Sequence, residues 1–209
     1  MQLTSSSFAD GGRIPGKYAF CLPDPSSHAT FGPNLNPHLA WTEVPDGTRS
    51  FALICSDDDA PTRPDDVNRP GREVPADLPR GEFFHWVVVD LPADCRRIDA
   101  GEFADGVVEG GKEPEPGPHG SRQGINDYTG WFEGDVGMTG RYYGYDGPCP
   151  PWNDARIHHY TFTVYALDLD TCPVDGAFTG QQVREAIKGH VLASASLSGS
   201  YTMNPRLMD

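Results

Sequence analysis

Apolar residues in this chain fall into a few dense runs separated by long polar stretches rich in glycine and proline. Ser50 to Ser56 (SFALICS) is too short for a helix and too apolar for a loop, so it reads as a mostly buried strand. It runs directly into Asp57-Asp58-Asp59-Ala60-Pro61. Phe83 to Leu91 is a second apolar strand, with His85 near its start. From His159 to Leu169, Tyr160, Phe162, Val164 and Ala166 alternate with Thr161, Thr163, Tyr165 and Leu167, the period-2 pattern of a strand. Weaker patterns predict short strands at Tyr18 to Leu22 and Trp41 to Val44, and another strand at Ala195 to Tyr201. One helix is predicted, from Gly180 to Ala193, with Thr179 as cap and Val183, Ala186, Ile187, His190 and Val191 on one stripe. Many strands and few helices predict a mainly β fold: two packed antiparallel sheets with peripheral helices.

Composition alters this picture in three ways. The chain has 209 residues, enough for a sizeable core in one domain. It holds 24 glycines and 20 prolines, about a fifth of all residues against a usual share of about 12%. With 37% hydrophobic residues that surplus belongs to the loops of a β protein and not to disorder. The net charge of −14 opposes nucleic acid and anionic membranes, but still allows one anion in a local pocket. Cys21, Cys55, Cys95, Cys149 and Cys172 are odd in number and widely spaced, with no CxxC, which predicts five free thiols in a reducing compartment. No signal peptide pattern or membrane-length apolar run is visible, so the expected location is cytoplasmic.

The candidate chemistry sits at the strand ends. Gly147-Pro148-Cys149-Pro150-Pro151 is a rigid loop, because three prolines fix φ and remove three amide donors. His158 and His159 follow; adjacent strand residues face opposite sides, so only one can enter a pocket. If the ends of the three strong strands meet, Asp57, Asp59, His85 and His158 share one site walled by proline and aromatic rings. Asp57-Asp58-Asp59 alone would equally serve as a solvated turn, and His85 as a satisfied core residue. No metal-ligand spacing, phosphate loop, dinucleotide fingerprint or nucleophile elbow occurs, so no metal or cofactor is expected. Cys149, flanked by prolines without an evident base beside it, reads as an apolar filler of its loop.

These motifs together resemble the phosphatidylethanolamine-binding protein family, in its bacterial, Raf-kinase-inhibitor-like branch. Asp57-Asp58-Asp59-Ala60-Pro61 is similar to the family's Asp-x-Asp-Ala-Pro, whose middle position is usually proline. His85-Trp86-Val87-Val88, Gly147 to Pro151 with His158 to Tyr160, and Ala195 to Tyr201 match three further patterns, and the resemblance spans about residues 15 to 203. It implies one domain over 1–209: a large central sheet, a smaller flanking sheet and a helix near the C-terminus. It also implies a ligand pocket of Asp57, Asp59, Pro61, Phe83, His85, Gly147, Pro148, Pro151 and His158, with Asp59 ordering its loop and His158, not His159, facing in. The link Trp152 to Arg156 departs from a commonly glycine-rich stretch and predicts a larger, more aromatic rim. The segment 126–143 has no place in the pattern.

Two imidazoles beside carboxylates suit a phosphate-type anion that shares a proton, with histidine N–H groups and loop amides such as that of Gly147 as donors. The first expectation is a noncatalytic binding module for a phospholipid headgroup, a phosphorylated small molecule or a phosphorylated partner, regulatory toward that partner. The second is an enzyme using Asp57, His85 and His158 in acid–base chemistry; the third is an inhibitor of a kinase or protease. No activated nucleophile is evident, which favours binding. The chain is compatible with a homodimer. A tight site turn also predicts a cis bond between Ala60 and Pro61.

Overall fold

The structure is a computed structural model that describes residues 1–114 and 116–208. Its strands in chain order are β1 (Gln2–Thr4), β2 (Cys21–Asp24), β3 (His28–Phe31), β4 (Leu39–Thr42), β5 (Ser50–Pro61), β6 (Arg80–Pro92), β7 (Arg97–Ile98), β8 (Arg122–Gln123), β9 (His158–Leu167) and β10 (Val191–Tyr201). Two short helices accompany them, α1 (Tyr128–Trp131) and α2 (Gly180–Ala186). The fold is mainly β: a five-stranded antiparallel sheet in the order β10-β9-β5-β6-β8, a three-stranded sheet β1-β4-β7 and the hairpin β2-β3.

The central strands are apolar without a break because both their faces are covered. On β5, Phe51, Leu53 and Cys55 join Trp41, Leu39 and Ile98 of the small sheet in one core. Ala52 and Ile54 turn the other way and pack on Val183 and Ile187 around α2. Strand β6 divides likewise, Trp86 and Val88 to the first core, Val87 and Val89 to the second. β9 is half-covered, and its period-2 alternation survives: Tyr160, Phe162, Val164 and Ala166 point to the first core.

Several local expectations are corrected. The helix is shorter than its apolar stripe predicted: a Thr179–Gln182 capping box starts it, and it ends at Ala186. Gly189, at φ 84°, turns the chain back, and Val191 belongs to β10. That left-handed φ is open to glycine at little cost. Tyr18 closes a 3-10 turn, and the strand predicted there begins only at Cys21. No peptide bond is cis among the described residues, Ala60–Pro61 included, because Ala60 and Pro61 simply extend β5 opposite Gly81 and Arg80.

The cysteines are not all free. Cys21 and Cys149 form a disulfide, and Cys55, Cys95 and Cys172 are buried thiols. The two half-cystines, 128 positions apart in sequence, meet in space, since the Cys21 amide donates to the Pro148 carbonyl at 3.1 Å and lays the proline loop along β2. Cysteine spacing therefore gives no ground for a reducing compartment. Among the described residues, no helix is long and apolar enough to cross a membrane.

Candidate functional site

The register brings the three strand ends together. Asp57 lies opposite Phe83 of β6 on one side and Tyr160 of β9 on the other. Two bulges then aim the side chains. Cys55 pairs with Trp86 but Ser56 pairs with Phe84, so His85 is an extra residue on β6. A bulge re-aims the local side chain, and His85 points into the first core's open end where strict alternation would send it to the second. Its carbonyl and ring are clamped by one residue: the Asp146 amide donates to the His85 carbonyl at 3.0 Å, and His85 Nδ1–H donates to the Asp146 carbonyl at 2.8 Å. The second shift, between Asp57 and Ala60, parts the two carboxylates that plain alternation would place on one face. Asp57 turns inward to His158, and Asp59 turns to exposed His159.

These ends enclose a cavity of about 250 Å³. Asp57, Pro61, Phe83, His85, Pro151 and His158 line it, together with aromatic walls that include Phe20, Phe31, Tyr128 and Phe132. Asp59, Gly147 and Pro148 lie outside the lining. Gly147 donates its amide to Asn34 Oδ1 at 2.8 Å. A Cβ there would stand 2.0 Å from the Tyr18 carbonyl oxygen, so backbone packing demands the glycine. The remaining donor of the loop is the Cys149 amide: Cys149 lines the cavity, and its N–H has no acceptor among the described residues.

The two inward histidines are held in opposite ways. His158 is 1% exposed, yet both ring nitrogens carry carboxylates, Nδ1 on Asp57 Oδ2 at 2.6 Å and Nε2 on Asp154 Oδ2 at 3.1 Å. Burial works against its charge, but the hydrogen bonds that its ring N–H groups donate to Asp154 and Asp57 outweigh burial and raise its pKa to about 9. At neutral pH it is a cation with no free N–H for a ligand. Arg80 braces the far side, its guanidinium meeting Asp154 through Nη1 at 2.5 Å and Nη2 at 2.9 Å, both side chains buried. His85 is equally buried, and that burial lowers its pKa against the pull of Asp57 and of the Asp146 hydrogen bond. The neutral ring is fixed as the Nδ1–H tautomer, so Nε2 is a hydrogen-bond acceptor at the cavity. Phe83, Tyr128 and Tyr160 hold it edge and face, at centroid distances of 4.9, 5.5 and 5.0 Å.

Residues absent from the sequence reading complete the site. Tyr128, Trp131, Phe132 and Met138 come from the segment without a place in the motif pattern, which forms one wall of the cavity. Asn126 and Asn34 tie that wall to the Asp146 carboxylate at 2.8 Å each, and Lys112 meets the same carboxylate at 2.9 Å. The stretch after the proline loop builds no aromatic rim: Trp152 stacks on His28 at 4.0 Å outside the lining, and Asn153 pins the 62–79 loop through the carbonyls of Asp66, Arg69 and Arg72. A sequence signal for the wall exists in the Tyr128–Phe132 spacing, one helical turn, whose rings stack at 5.5 Å. Among the described residues, no three His, Cys, Asp or Glu side chains are arranged to hold a metal ion.

Comparison with known proteins agrees with this geometry. The sequence profile of the phosphatidylethanolamine-binding protein family matches residues 4–202. The chain is 35% identical to the UPF0098 protein YbhB of Escherichia coli, covering 97% of this chain and all of that one. It is 34% identical to a UPF0098 protein of Methanothermobacter thermautotrophicus, covering 96% and 98%. Its fold is similar to the crystal structure of Escherichia coli YbcL, with a TM-score of 0.67, 28% identity and coverage of 96% and 97%. A homologue from Chlamydia trachomatis, CT736, gives a TM-score of 0.63 at 28% identity, covering 96% and 95%. The chain belongs to the phosphatidylethanolamine-binding protein family, in its bacterial branch.

Proposed function

We propose that this chain is a noncatalytic binding module for a small phosphate-type anion, taken up in the cavity between His85 and Cys149. The observation that carries the reading is the half-used imidazole of His85: Nδ1 is spent on the Asp146 carbonyl, and Nε2 has no partner among the described residues. The Cys149 amide supplies a donor, and His85 Nε2 accepts the proton of a monoprotonated phosphate or takes up a proton and donates it back to a phosphoryl oxygen. His158, kept cationic by its two carboxylates, offsets Asp57, so the anion does not meet a bare negative charge. The organic part of the ligand then packs on Phe83, Tyr128 and Phe132. The family's name points to the same chemistry, since phosphatidylethanolamine presents a phosphate with an organic substituent. A phosphorylated side chain of a regulated partner would present it as well. Acid–base catalysis through His158 would require a free ring nitrogen, and both are occupied.

Calorimetry with inorganic phosphate and with phenyl phosphate, between pH 5.5 and 8, tests this reading. Charged groups around His85 are Asp57, Asp146 and His158, and the first and last form a closed pair. Binding that takes up one proton strengthens by up to about tenfold for each unit fall in pH. His85→Gln is expected to lose about 1.5–3 kcal/mol of binding, the range for a hydrogen bond to a charged group. Affinity flat in pH and equal in His85→Gln would overturn the assignment. Steady release of phenol from phenyl phosphate, lost in His85→Gln, would replace it with an enzyme.

A further inference from the structure

The disulfide lies on the cavity. Cys21 and Cys149 both line it, and Cys149 also carries the one loop amide left for a ligand. We propose that the Cys21–Cys149 disulfide is a redox gate on this pocket: the oxidised chain binds the anion, and two-electron reduction loosens the proline loop and weakens binding. The proposal rests on the anion reading of the same site.

Three observations carry it. First, the bond is placed to act on the ligand and not on the fold. The loop keeps other anchors when the bond is cut: Gly147 N to Asn34, Tyr128 Oη to the Gly147 carbonyl at 2.9 Å, and Trp152 N to Asn68 Oδ1 at 3.1 Å. The Cys149 amide shares one planar peptide unit with the Pro148 carbonyl, so the Cys21 N–H bond to that carbonyl is the backbone contact that the motion must break. Two thiols cannot occupy the space of one disulfide, because nonbonded heavy atoms keep roughly 3.5–4 Å apart. Reduction therefore pushes Cys149 away from Cys21, and its amide moves with it.

Second, the pair is the chain's accessible redox couple. Cys55, Cys95 and Cys172 are buried, and burial pushes each thiol up, disfavouring the thiolate that exchange requires. Cys21 and Cys149 both line the cavity, and although Cys21 is buried, Cys149 is half-buried, so a small reductant reaches the bond from the Cys149 side. Third, Asn68, Asn153 and the 62–79 loop hold Trp152 and the downstream chain in place, so the motion is confined to Pro148–Pro150.

The reductant is a dithiol. One of its thiolates attacks a sulfur of the bond, forming a mixed disulfide and releasing one cysteine as thiolate. The second thiol of the reductant then closes its own disulfide and releases the other cysteine. Two electrons and two protons pass to the protein, which gains two thiols, and the dithiol is oxidised to its disulfide. Linkage makes the coupling reciprocal: a ligand favouring the oxidised chain tenfold makes its reduction potential about 30 mV more negative.

Phosphate affinity by calorimetry, in oxidised protein and after reduction by dithiothreitol, gives the first reading. It is expected to weaken at least tenfold on reduction, and the potential measured with saturating phosphate should fall accordingly. A second reading needs no ligand: the His85 ring titrated by NMR. Loosening the loop admits water, so its depressed pKa should move back toward the ordinary value on reduction. The Cys21→Ser, Cys149→Ser double variant should behave as the reduced chain. Equal phosphate affinity in both states, or a His85 titration unmoved by reduction, overturns the gate. No phosphate binding in either state, with a His85 titration that does move, retains the gate and rejects the anion.

Discussion

His158 and His159 are neighbours on β9, and each pairs with an aspartate of β5 at nearly the same distance, 2.6 Å to Asp57 and 2.8 Å to Asp59. Inside, His158 carries a second carboxylate, Asp154, and behind it Arg80, with all four side chains nearly removed from water. Outside, His159 is exposed, and Asp59 also takes the His159 amide and the Arg156 guanidinium. The same pair of residue types is thus a structural keystone on one face of a strand and a surface ornament on the other. Geometry of the pair does not separate them; the number of unmet charges left behind when one partner is lost does.

The largest effect should come from Asp154→Ala. It strips a carboxylate from two buried cations at once, Arg80 and His158. Breaking a buried pair from one side costs about 3–5 kcal/mol because the orphaned charge stays buried. Urea denaturation should show that loss in the midpoint with a nearly constant slope. A change below about 1 kcal/mol, the scale of exposed pairs, would show that the inner cluster is no more than the outer one.

Next in size is the pH dependence of stability. The His158 pKa, raised to about 9, exceeds its unfolded value near 6.5, so its contribution is complete below pH 6.5 and is lost as pH rises through about 9. The shift corresponds to roughly 3 kcal/mol over that window. His85, its pKa lowered by burial, acts in the opposite sense: its contribution is present above the unfolded value and is lost as pH falls. Urea midpoints from pH 6.5 to 8.5 should fall in the parent and stay level in His158→Gln, which is less stable throughout. The buried thiols of Cys55, Cys95 and Cys172 join the loss only above about pH 8.5, in both proteins alike. Equal slopes in parent and variant would show that His158 is not the group titrating.

The inner and outer pairs were not equally legible in the sequence. The apolar runs of β5 and β6 and the alternation of β9 announce the sheet, because burial on two faces or one leaves a period in the residues themselves. Adjacent placement on a strand already separates His158 from His159. What stayed hidden depends on tertiary register. Nothing local marks the bulge at His85, which exists only relative to Cys55 and Ser56 across the ladder. Asp154 read as part of a rim because its partner Arg80 lies 74 residues earlier. The Cys21–Cys149 bond has no signature in the odd count and wide spacing of the cysteines, because only the fold brings β2 and the proline loop into contact. The wall at Tyr128 to Met138 belongs to a glycine-rich stretch with weak periodicity, and its Tyr128 ring stacks on Phe20 from far along the chain.

The smallest effect should be His159→Ala. Removing that ring leaves Asp59 with the His159 backbone N–H at 3.1 Å and Arg156 at 3.2 Å, and the imidazole it loses already stands in water. Exposed ion pairs contribute about 0.2–1 kcal/mol, and salt screens them further. Stability should therefore drop by less than about 1 kcal/mol, and phosphate affinity should not change, since neither Asp59 nor His159 lines the cavity. The measurement gains force when made at low and high salt. A loss that persists at 1 M salt, or one as large as that of Asp154→Ala, would mean that the outer pair fixes the β5 bulge and, through it, the inward turn of Asp57.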